Sequence, residues 1–93
     1  MEPENIVGEL RAMVLMDTVP MMGSEDYKER FKAEVIQLDI RIGKLASMLS
    51  AYKAGALDFQ PVCSYDLLEA QLNSMKVYRH FLSVRAEIEG IKL

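Results

Sequence analysis

Tryptophan is absent from this 93-residue chain, cysteine and histidine occur once each, and proline only three times. Each scarcity excludes some chemistry. The lone Cys63 rules out an internal disulfide and a multi-cysteine zinc site, and it suits a reducing cytoplasm. Read structurally, it is a small apolar residue beside a helix start. The lone His80 excludes a histidine metal cluster. Ser83 follows it by three residues and would bring a hydroxyl near an imidazole, but no oxyanion site accompanies the pair, so two surface side chains are the simpler reading. No glycine-rich phosphate loop is present. Acidic pairs such as Glu25 with Glu29, or Glu87 with Asp66 across a hairpin, read as solvated faces. The sequence therefore predicts a protein that is not an enzyme and carries no metal or cofactor.

Charge of one sign is also lacking. Fourteen acidic residues stand against 11 basic ones, a formal net charge of −3, which gives no field to attract nucleic acid or an anionic membrane. No apolar run approaches the length of a membrane span, and Glu2 and Glu4 stand where a signal peptide would be basic. A soluble, cytoplasmic protein is expected.

What the chain does have is helical periodicity. Phe31, Val35, Leu38, Ile42, Leu45, Leu49 and Tyr52 recur at alternating spacings of four and three, an apolar seam on one long amphipathic helix over 24–54. Ser24 is placed to cap its start with Glu25 and Asp26 in the first turn, and Gly55 to close its end. After a connection over 55–63, in which Leu57 and Phe59 are expected to tuck inward, Ser64 caps a third helix that runs to Glu89 and stops at Gly90. This helix carries two stripes. Leu68, Leu72, Met75 and Leu82 form one, interrupted by Arg79; Val77, Phe81, Val84, Ile88 and Ile91 form the other.

Ahead of the hairpin, Pro3 to Thr18 reads as a short helix, with Pro20 to Gly23 a turn. Four of the seven methionines, Met13, Met16, Met21 and Met22, fall in this arm. They are expected to pack as ordinary core, the alternative being an adaptable partner surface. The fold class is all-α: a short N-terminal helix or arm (1–23) and a long antiparallel helical hairpin (24–93). One stripe of the third helix pairs with the central helix, and the other needs the arm or a second chain. Half the residues are hydrophobic, generous for so short a chain, so assembly into a homo-oligomeric helical bundle is expected. Ile36 and Ile40, off the main seam, point the same way. Gly43 inside the long helix predicts close approach of another backbone or of a ligand, close helix packing being the simpler case.

Candidate ligand-binding residues follow from side-chain chemistry. Tyr27 and Tyr78 offer flat faces for stacking, and Arg30, Arg41 and Lys44 offer phosphate contacts. Arg79 sits where its stripe expects an apolar residue, so it must meet a carboxylate, Glu34 or Asp39 being at hand, or a ligand phosphate.

The run Tyr27-Lys28-Glu29-Arg30-Phe31-Lys32-Ala33-Glu34, with Gln37-Leu38, Arg41 to Leu45, Tyr52 to Phe59 and Arg85 to Gly90, resembles a family of small phage and prophage proteins related to a crAss-like phage protein without assigned function. The resemblance covers Ser24 to Ile91 and brings no residue roles with it. It implies a phage accessory protein acting in the host-cell cytoplasm, of a size often used against host defence. Two mechanisms follow. A homo-oligomer would sequester a nucleotide immune signal, such as a cyclic nucleotide, or the protein would block a host defence protein by surface contact in the manner of an anti-CRISPR. A structural or regulatory phage role is the third reading.

Overall fold

The computed structural model describes residues 13–93. These residues form helices, with no strand among them. A 3-10 turn over Leu15–Thr18 leads into a single helical turn, α1 (Val19–Met22); then come α2 (Tyr27–Lys53) and α3 (Tyr65–Glu89). The helix expected over 3–18 lies mostly outside the described residues. Its described end is not α-helical, because the Asp17 carboxylate accepts from the Val14 backbone N–H at 2.9 Å and closes a tighter turn. The turn expected at Pro20 to Gly23 is instead helical through Met22. Pro20 falls in the first helical turn, where a missing N–H costs nothing.

The long helix starts three residues later than its apparent cap. Ser24 Oγ accepts from the Asp26 N–H at 3.1 Å, which makes a local turn, and it is Asp26 Oδ1 that accepts from Lys28 N–H at 2.9 Å, inside the first helical turn. Arg30 Nη1 then donates to the Ser24 carbonyl at 2.7 Å. At the other end Gly55 adopts φ 72°, with Ala56 N–H donating to Ala51 O and Gly55 N–H to Tyr52 O. This pair of bonds satisfies carbonyls that the last turn would otherwise leave free, and only glycine reaches that φ without strain. The start of α3 is as the sequence predicts, Ser64 Oγ accepting from Leu67 N–H at 3.2 Å. Its end is closed by Gly90 at φ 71°, with Ile91 N–H donating to Ala86 O. The reversal at Gly90 takes Ile91 out of the second stripe and buries it.

The chain divides into two compact units, the first ending at Gln37 and the second running from Leu38 to Leu93. In the first, the arm docks on the start of α2 through a polar clamp. Thr18 is fully buried; its hydroxyl donates to Leu15 O at 2.6 Å and accepts from Gln37 Nε2 at 2.8 Å. Ala33, one turn before Gln37 on the same face, is buried too. The methionines do not form the core expected of them. Met13, Met16 and Met22 are exposed and Met21 is half-buried, since the arm presents Thr18 inward instead.

In the second unit the end of α2 and α3 make an antiparallel hairpin. Asp39 faces Arg79 at one level, and Tyr52 stacks obliquely on Tyr65 at the other, ring centroids 5.5 Å apart. Its buried apolar residues are Leu38 and Leu49 from α2 and Leu72, Leu82 and Ala86 from α3, the last three on the first stripe or beside it. In the connection Leu57 is half-buried as expected, but Phe59 is exposed, contrary to its expected inward packing; Cys63, beside the start of α3, is exposed too. The second stripe of α3 has no cover within the described residues: Val77, Phe81, Val84 and Ile88 all stand exposed.

Candidate functional site

Arg41 and Lys44 lie three apart on α2, hence on neighbouring turns of one helical face. Neither makes a hydrogen bond or ion pair among the described residues, whereas Arg30, Lys32, Arg79 and Arg85 are all engaged. The two free cations border a concavity of about 390 Å³ between α2 and α3. Leu45 and Met48 continue the wall on α2, and Leu68, Gln71 and Met75 supply the facing wall on α3. Most of that lining is apolar. Among the described residues the Gln71 amide reaches only the Met75 sulfur, at 4.0 Å, a weak acceptor that leaves its hydrogen-bonding capacity for another molecule. The volume falls in the range of small-molecule sites, ~300 to 1,000 Å³. The groove thus offers positive charge at one edge, an amide, and a polarisable thioether and leucine floor.

Two neighbouring concavities of the hairpin fit an anion less well. One is lined by Lys53 and Lys76 but also by the acidic Glu69, and the other, near Gly55 and Phe59, has no cation in its lining.

Of the six residues singled out by sequence, the groove contains Arg41 and Lys44. Arg79 is ion-paired with Asp39 at 2.7 Å and also donates to Ser83 Oγ, so a carboxylate meets the guanidinium that interrupts the first stripe. The same bond directs the Ser83 hydroxyl to Arg79, and the His80 ring contacts Phe81 instead. Arg30 is held by the Ser24 carbonyl, and Tyr27 and Tyr78 are exposed. Tyr52 and Tyr65 are used by each other, so no aromatic ring lines the groove. Sequence reading missed Met48 and Gln71 as site residues and took Leu45, Leu68 and Met75 for core. The only signal for Met48 and Gln71 was the helical phase that sets them beside the seam and the first stripe. No group of three or more metal-ligating side chains occurs among the described residues, and none of their helices is long and apolar enough to cross a membrane.

A family model named Sequestin matches residues 25–88, more than half of the chain, and the chain belongs to the Sequestin family. No curated protein and no solved structure matches it. The match spans nearly the same stretch as the resemblance to phage proteins and names no phage relative.

Proposed function

We infer that this protein binds and sequesters a small signalling molecule, and that the molecule is a nucleotide. The family's name denotes sequestration, which is a binding role and not a catalytic one. The observation that carries the finer reading is the pair of cations, Arg41 and Lys44, without partners among the described residues, above an apolar floor with the Gln71 amide. A nucleotide matches this in each part: phosphate oxygens on the two cations, the base against Met48 and Met75, and Gln71 at the base edge. A shared-ligand homo-oligomer acting against host defence, built from an arm over 1–23 and a hairpin over 24–93, completes the reading. Tyr27, Arg30, Tyr78 and Arg79 are outside the groove and are not needed for it.

The test is isothermal titration with a panel of cyclic and linear nucleotides against the wild type and the double variant Arg41→Gln/Lys44→Gln. Charge-assisted hydrogen bonds are worth about 1.5–3 kcal/mol, so each substitution should weaken binding by about tenfold or more. Helix content should be unchanged, because neither side chain has a hydrogen-bond or ion-pair partner to lose among the described residues. Equal affinity of the two proteins would remove the groove from the site.

The exposed methionines of the arm favour a second reading, inhibition of a host defence protein by surface contact. Met16 is 76 % and Met22 52 % exposed, and methionine adapts to varied partners. If this is the mechanism, deleting residues 1–22 leaves a folded hairpin that no longer inhibits; retained inhibition would reject the arm as the partner surface.

A further inference from the structure

Val77, Phe81, Val84 and Ile88 recur at spacings of four, three and four along α3, on the side away from buried Leu72, Leu82 and Ala86. Their exposures are 55, 60, 38 and 79 %, an apolar strip within a short chain. Alternating three-four spacing is the seam of one helix packed against another, which takes a helical partner and not a small ligand. Toward the start of α3 the same register continues through Ser74 and Ala70, where side chains are small. The bulk is concentrated between Val77 and Ile88.

We propose that this strip is the contact between two copies of the chain, with their α3 helices antiparallel about a two-fold axis beside the Leu82–Ser83 peptide. In that register Phe81 packs on the partner's Val84, and Val77 on the partner's Ile88, each twice by symmetry. The flanking residues choose the direction. Glu87 comes opposite the partner's His80, whose imidazole N–H can donate to it. Arg85, aligned along its own helix by Glu89 at 3.0 Å, comes opposite the partner's Tyr78 ring. A parallel pairing would set His80 beside the partner's Arg85, leaving the imidazole N–H without the carboxylate that the antiparallel register brings to it. The reversal at Gly90, which buries Ile91, ends the helix one residue past Ile88 and keeps the chain end off the seam. The inference rests on the homo-oligomer in the proposed function and is independent of its nucleotide.

Sedimentation velocity on the full chain and on Phe81→Glu tests it. The wild type should be a dimer and the variant a monomer of unchanged helicity, since Phe81 is exposed in the single chain. A variant that remains dimeric overturns the seam while leaving the oligomer standing; a wild type that is monomeric at every concentration overturns both. Disulfide formation gives a second readout that does not need the charged variant to fold. With Cys63 replaced by serine, mixing Phe81→Cys and Val84→Cys proteins should give the mixed disulfide in preference to either self-pair. Preferential self-pairing of Phe81→Cys would contradict the antiparallel register.

Discussion

Gly43 lies in mid-helix, and a methyl group built on it would meet nothing within 4 Å. Close helix packing within the chain, the expectation from sequence, is therefore not why glycine is there. Gly43→Ala should stabilise the single chain by about 0.5–1 kcal/mol, because alanine removes unfolded-state freedom and enters open space. For a domain of this size that is a rise of several degrees, roughly 4–8 °C per kcal/mol, readable by thermal melting. A fall in melting temperature would mean that the backbone at Gly43 is strained or covered. Arg79 shows the opposite outcome. Its place in an apolar stripe required a partner, and one of the two carboxylates named from sequence, Asp39, is that partner. A charge in a stripe is legible because leaving it unpaired is costly. Which carboxylate answers depends on hairpin register, which a single sequence does not display.

Among the elements, α3 was legible to the residue at both ends and α2 was not, and the reason is local. Gly90 has no competitor nearby and Ser64 only Asp66, already inside the first turn, whereas Ser24, Glu25 and Asp26 are three consecutive residues ahead of α2 able to serve its start. The bond from Lys28 N–H to Asp26 decides among them, and Ser24 is left to make the preceding turn. Asp26→Ala should accordingly cost about 1 kcal/mol, the usual value of a lost cap, with Ser24→Ala costing less. Urea unfolding of the two variants separates them; a larger loss from Ser24→Ala would show that the serine is the cap. The arm was misread for a different reason. Its composition is apolar, but the buried group is the Thr18 hydroxyl, satisfied by Leu15 and by Gln37 nineteen residues away. Periodicity reports apolar faces and is silent about a polar clamp of that kind.

For the molecule as a whole, the sequence conveyed an all-helical hairpin and the cations of the groove, but not the groove. Arg41 and Lys44 can be selected from one helix by charge alone. Leu45, Leu68 and Met75 look like core until two antiparallel helices diverge enough to leave them lining a concavity. Met48 and Gln71 gain meaning only from that pairing. The central claim is that this concavity holds a nucleotide, and ligand binding also links to stability. A nucleotide at about one hundred times its dissociation constant would add ~2.7 kcal/mol to unfolding. The most direct measurement is native mass spectrometry on protein taken from cells and then mixed with a panel of cyclic and linear nucleotides. The expected result is an assembly carrying one defined nucleotide mass that disappears in the Arg41→Gln/Lys44→Gln variant. A bare protein across the whole panel would contradict it.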